Sequence, residues 1–162
     1  MIAKDYIGFM LTGEKFTEPS DASGTVLMDL NSQDWSMDVI RQLGLQHLTL
    51  PIIKKSIEVT GTVSQQASVV TGLLTGTPVV AGGADNAASA ISTGSIHDNV
   101  CQISLGTSGT VLQTTTSPVI DDGLRLHSFA HCVQDRWYSM GVTLSAAASF
   151  AWFADDVIRM SN

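Results

Sequence analysis

Apolar positions fall in short runs divided by small or polar residues, and each run predicts one element. Tyr6, Ile7, Phe9, Met10 and Leu11 lie in Lys4 to Thr12 ahead of Gly13, which reads as a short helix with a glycine stop. No cap or strand precedes it, so the chain reads as though it opens in mid-fold. Glu18 to Gly24 (EPSDASG) predicts a turn or loop. Trp35, Val39, Ile40 and Leu43 share one helical face over 34–43, with Asp34 as N-cap and Gly44 as stop. Pro51 to Val59 predicts extended chain, Ser64 to Leu73 a helix capped by Ser64, and Pro78 to Ala81 a strand.

The pattern then changes twice. Residues 81–94, AGGADNAASAISTG, hold one carboxylate among small side chains and predict a helix over Asn86 to Ser92. From about Asn99 the chain alternates like a sheet through Val100, Gln102-Ile103, Leu105 and Gly109 to Gln113. Two further strands follow, Leu124 to Cys132 and Trp137 to Val142, joined by a hairpin turn at Gln134-Asp135. Leu144 to Arg159 predicts a last helix carrying Phe150, Trp152, Phe153, Val157 and Ile158, with all three tryptophans in the core. The fold class is α/β: two partial lobes, 1–93 and 94–162, with a hinge at Thr93-Gly94-Ser95. No internal repeat or low-complexity tract interrupts it.

Composition narrows the partners. Of 162 residues, 44% are hydrophobic and only 14% charged, which excludes a disordered chain and suggests that more chain or a partner covers part of the surface. A formal net charge of −7, with no Lys/Arg cluster among aromatics, argues against nucleic acid. No run approaches the ~20 apolar residues of a membrane span, and no signal peptide is visible, so a cytoplasmic protein is expected. Cys101 and Cys132 are too few for a disulfide framework and read as buried or half-buried thiols.

Two stretches carry candidate chemistry. Asp85 sits at the carboxyl end of a strand, where α/β folds bind ligands. It fits a general base for a substrate hydroxyl, or simply the cap of the following helix. Gly106-Thr107-Ser108-Gly109 can aim backbone N–H groups and two hydroxyls at one oxyanion, or be a plain hairpin turn. His127, His131 and Cys132 lack a second ligand cluster for a metal, and the two histidines read as strand residues on a solvated face. Asp121-Asp122-Gly123 reads as a turn, and Ala146-Ala147-Ala148 as close helix–sheet packing or room for a flat ligand.

In order along the chain, KDYIGFMLTGE (4–14), SDASGTVLMDL (20–30), AGGADNAASAISTG (81–94), SLGTSGTVL (104–112) and GVTLSAAASFAW (141–152) resemble the FGGY family of carbohydrate kinases. That family lies within the actin-like ATPase superfamily, so the resemblance implies a ribonuclease H-like α/β fold, here in part. GGADNAA with DASGT and SLGTSG looks most like the members that phosphorylate D-xylulose to D-xylulose 5-phosphate. Kinases of gluconate, ribulose or glycerol, or a non-catalytic nucleotide-binding module on the same core, are the alternatives. The resemblance implies that Asp85 is the catalytic base and Asn86 a sugar contact. It implies likewise that Gly106, Thr107 and Ser108 face the ATP phosphates, that Ala147 and Ala151 line the nucleotide site, and that Mg²⁺ bridges the phosphates.

The D-x-G-T-like first phosphate loop, the M-H-G-like sugar segment, the Gly-rich adenosine loop and the second family signature are missing. An internal fragment without turnover of its own is therefore expected, with exposed apolar surface favouring a homo-oligomer, a dimer.

Overall fold

The computed structural model describes residues 2–159. The first half is built of short pieces: α1 (Ala3–Thr12), β1 (Phe16–Thr17), α2 (Pro19–Ser23), β2 (Met28–Asp29), β3 (Asp34–Trp35), α3 (Met37–Gln42), β4 (Ile52–Ile53), β5 (Val59–Thr62), α4 (Gln65–Thr71) and β6 (Pro78–Val80). α5 (Asp85–Ser92) leads to β7 (Cys101–Leu105), β8 (Gly109–Thr115), β9 (His127–Ala130), β10 (Trp137–Thr143) and α6 (Ala147–Trp152). β1 pairs in parallel with β4, β2 with β3 and β5 with β6 antiparallel, and the last four strands form an antiparallel sheet in the order β7-β8-β10-β9.

Local signals account for several boundaries. α1 ends where Gly13 turns left-handed at φ 82°, and its N–H donates to Phe9 O. Ser64 accepts from Ala67 N at 3.1 Å and starts α4, which Gly72 closes in the same left-handed way. Elsewhere the structure corrects the sequence reading. Residues 18–24 contain the helix α2, because Pro19 occupies its first position and the Glu18 carboxylate caps it. Ser36, not Asp34, caps α3, and Asp34 pairs with Asp29 across β2–β3. The strand placed over 124–132 shrinks to His127–Ala130. The last helix begins only at Ala147 and passes into a π-helical turn, Phe153–Val157, closed by Ile158 N–H to Phe153 O at 3.0 Å. Asp155 and Asp156 face the negative end of that helix, where acids are unfavourable.

Two small cores hold the halves together. Ala87 and Ala90 of α5 pack on Leu112, Tyr138 and Met140 of the sheet, joined by Ala84, Phe129 and Cys132. Only alanines let a helix axis lie this close to strands. Polar contacts frame the same face: Gln102 Nε2 donates to Ser89 Oγ at 2.9 Å, and Thr93 Oγ1 to Gln102 Oε1 at 2.9 Å. The second core gathers Ala22 and Met28 around Ala130, with Leu30, Trp35, Ile53 and Trp137 at its edge. Trp137 Nε1 donates to Leu30 O at 2.8 Å, whereas Trp152 is 59% exposed and belongs to no core. The other sheet face leaves Ile103, Leu105 and Val111 exposed. Among the described residues, no helix is long and apolar enough to cross a membrane.

Candidate active site

The segment from the end of β6 to α5 is held from upstream at Ala81, Gly82 and Ala84. Ala81 N–H donates to Glu58 O at 3.0 Å, and Gly82 N–H to Ser56 O at 2.9 Å. Lys4 Nζ donates to Ala81 O at 2.9 Å, and Ala84 N–H donates to Ser20 Oγ at 2.8 Å. Lys4 also pairs with Asp5 at 2.9 Å and Asp21 at 3.2 Å. Burial works against its ammonium, but Asp5, Glu18 and Asp21 outweigh that and raise its pKa. Asp21 is itself raised, because burial outweighs the attraction of Lys4. Gly83 is required by close approach: a Cβ there would lie 2.8 Å from Cys132 Cβ.

Asp85 is the first residue of α5, and the cap position belongs to Ala84, which makes no side-chain bond. The Asp85 Oδ1 accepts from Asn86 N at 2.7 Å and from Asn86 Nδ2 at 3.1 Å. Asp85 is exposed and Asn86 half-buried. The carboxylate thus faces outward from a fixed backbone, with Asn86 steadying one oxygen. Such a group can accept a proton from, or orient, an approaching hydroxyl.

Across from this segment the β9–β10 connection brings His131, Cys132 and Tyr138. Burial and nearby carboxylates, Asp85 first among them, push the Tyr138 phenol far up. Burial pushes the Cys132 thiol up to about 11, so it packs as a neutral thiol rather than acting as a nucleophile. His131 is 2% exposed and its Nδ1 accepts from Val133 N at 2.9 Å. That corrects the expectation of two histidines on a solvated face: His127 is exposed, His131 is not. Cys101 is exposed too, contrary to expectation. Among the described residues no group of three His, Cys, Asp or Glu could hold a metal ion.

Gly106, Thr107 and Ser108 form the turn between β7 and β8. Gly106 N–H donates to Ser108 O at 2.9 Å, while Thr107 O accepts from Ala146 N at 2.8 Å and Gly106 O from Ala147 N at 3.0 Å. The carbonyls are therefore turned onto the start of α6, and the Thr107 and Ser108 side chains are left exposed. A Cβ on Gly109 would meet Ala146 Cβ and Thr143 Cγ2, each at 3.0 Å. Ala147 and Ala151, one turn apart on α6, are both exposed beside this turn. The exposed Thr107 and Ser108 hydroxyls are donors the turn offers to solvent, while the Gly106 N–H is already used.

Four of the expected nucleotide contacts, Gly106, Thr107, Ser108 and Ala147, thus meet in one place, and Asp85 with Asn86 in another. α5, which Asp85 opens, packs through Ala87 and Ala90 on Leu112, Tyr138 and Met140 of the sheet. Sequence reasoning missed Glu18, Ser20 and Lys4. A carboxylate immediately before a proline at a helix start was the available signal.

The model of the FGGY family of carbohydrate kinases, N-terminal domain, matches residues 1–92. The xylulose kinase of Bacillus subtilis is 39% identical over 94% of this chain, and that of Escherichia coli K12 36% identical over 95%. A solved xyloylose kinase from Brucella ovis superposes with a TM-score of 0.88 at 30% identity, over 97% of this chain and 32% of that one. The chain spans about a third of the length of these relatives. Its α/β fold is accordingly part of the actin-like ATPase fold of FGGY sugar kinases. The chain belongs to the FGGY family of carbohydrate kinases.

Proposed function

We propose that this chain is the central part of an ATP-dependent sugar kinase that phosphorylates D-xylulose at its terminal hydroxyl, giving D-xylulose 5-phosphate. One observation carries the mechanism: an exposed carboxylate, Asp85, follows a backbone held at Ala81, Gly82 and Ala84. Asp85 takes or orients the proton of the attacking hydroxyl, and Asn86 touches the sugar. The Gly106–Ser108 turn donates to the phosphates, and Ala147 and Ala151 leave room for the nucleotide on α6. ATP enters as its Mg²⁺ complex, the cation neutralising the phosphates as they are transferred. Residues 1–93 serve the sugar lobe and 94–162 the nucleotide lobe.

Closure about Thr93-Gly94-Ser95 excludes water during the transfer. Gly94 has φ 73°, a conformation suited to a pivot. The bare sheet face with Ile103 and Leu105 supports a longer parent that covers it, and a dimer of that parent is the assembly we infer. The isolated segment lacks half of the phosphate grip and turns over no substrate.

The xylulose kinase names of the relatives favour D-xylulose over gluconate, ribulose or glycerol. A solved gluconate kinase from Lactobacillus acidophilus, TM-score 0.90 at 23% identity, shares the fold alone. In the longer kinase, Asp85→Asn lowers kcat about 10²- to 10⁴-fold with ATP affinity retained. A near-normal kcat in a coupled ADP-release assay removes the base assignment. Turnover of D-gluconate, D-ribulose or glycerol in preference to D-xylulose removes the substrate.

A further inference from the structure

Glu18 is 0% exposed, and it does more than cap α2. Its Oε1 accepts from Ser20 Oγ at 2.6 Å and Asp21 N at 2.8 Å; its Oε2 accepts from Ser20 N at 3.0 Å and Ser56 Oγ at 2.8 Å. A cap alone needs only the two backbone contacts, which Ser, Thr or Asn supply without a buried carboxylate. The two hydroxyl contacts reach beyond the helix. Ser56 lies next to the β6–α5 segment, where its carbonyl holds Gly82 N–H. Ser20 has one hydroxyl proton, and giving it to Glu18 turns its oxygen lone pairs outward as acceptors. The group they meet is Ala84 N–H, the peptide immediately before Asp85. Gly83, one residue further back, lies against Cys132 with no room for a side chain, so the segment cannot shift toward the sheet.

We propose that Glu18 and Ser20 are positioning residues for Asp85, Glu18 fixing the Ser20 hydroxyl and Ser20 fixing the peptide from which the catalytic carboxylate projects. This rests on the reading of Asp85 as base. Neither residue touches substrate. Both act by keeping the Asp85 backbone from moving within its exposed surroundings, where a displacement of about 1 Å costs on the order of a hundredfold in rate.

The test is a double-mutant cycle in the longer kinase, with D-xylulose and MgATP and with kcat and KM measured separately. Ser20→Ala is expected to lower kcat at least about tenfold with KM for ATP unchanged. In the Asp85→Asn background it is expected to cost nothing further, because a positioning residue has nothing left to position. Ser36→Ala, which removes the cap of α3 at a comparable cost in stability, is expected to leave kcat unaltered. Wild-type kcat in Ser20→Ala, or a full further loss in the Asp85→Asn background, overturns the proposal. A near-normal kcat in Asp85→Asn alone instead overturns the base reading beneath it. If Ser20→Ala does not fold, Ser56→Ala, which removes one donor to Glu18, carries the test. It is expected to lower kcat about threefold, again only while Asp85 is present.

Discussion

The chain contains two turns rich in glycine and small residues, 81–84 and 106–109, and they are built on opposite plans. The first is stationary because upstream elements grip it: Lys4, Ser20, Ser56 and Glu58 reach Ala81, Gly82 and Ala84. The second is gripped only through two carbonyls, by the amides of Ala146 and Ala147, and its hydroxyls face outward. A base must hold a fixed place relative to one hydroxyl, so rigidity suits it. On the proposed reading the second turn offers the exposed Thr107 and Ser108 hydroxyls to phosphate, while its Gly106 N–H is spent on Ser108 O. Small residues serve close packing in the first turn and ligand access in the second.

The largest break in this comparison comes from Glu18→Ala. It strands two backbone N–H groups and two hydroxyls and leaves a cavity, so it should cost about 3 kcal/mol or more, measured by denaturant unfolding of the longer protein. A cost under about 1 kcal/mol would show that the first turn does not depend on the buried carboxylate. Gly83→Ala comes next: its Cβ would sit 2.8 Å from that of Cys132, and about 1–3 kcal/mol is expected. Cys132→Gly should restore part of that loss if the contact is the cause.

Lowering the pH probes the first region more gently. Burial depresses the His131 pKa, so the folded state binds its proton less readily than the unfolded chain does. The sign follows: the stabilising effect of neutral His131 is complete above about pH 6.5, the unfolded value, and declines as pH falls through and below it. Thermal unfolding of wild type and His131→Gln between pH 7.5 and 5 should diverge in that direction, with the variant showing the flatter dependence. In the second turn, Thr107→Val should change stability by no more than about 0.5 kcal/mol, because the side chain is exposed. Its effect belongs to the ligand: about tenfold in KM for ATP, as for one lost bond to a charged oxygen.

How far the sequence could be read follows the range of the forces involved. Gly13 and Ser64 announced their helix ends because a left-handed residue and an N-cap hydroxyl act within one turn of chain. Alternation located β8 and β10, since each residue's face depends only on its parity. Residues 18–24 were misread because Pro, Ser and Asp favour turns and helix starts alike, and the deciding partner, Ser56, lies 38 positions away. His131 resembled His127 in sequence, yet the β9–β10 connection buries one and not the other.

Asp85 and the Gly106–Ser108 turn were singled out from the sequence, because a lone carboxylate after a strand and a Gly-Thr-Ser-Gly run are local patterns, whereas Asn86 came only from the family resemblance. The small-residue character of 81–94 was equally legible, though which of its alanines meet the sheet was not. Tertiary structure alone decided why Gly83 has no side chain, since Cys132 arrives from the far end of the chain. It alone decided that Ser20 holds the peptide before Asp85, across 64 positions. Composition and periodicity record what each residue prefers beside its chain neighbours. Which distant groups fill the space around it is settled only when the elements pack.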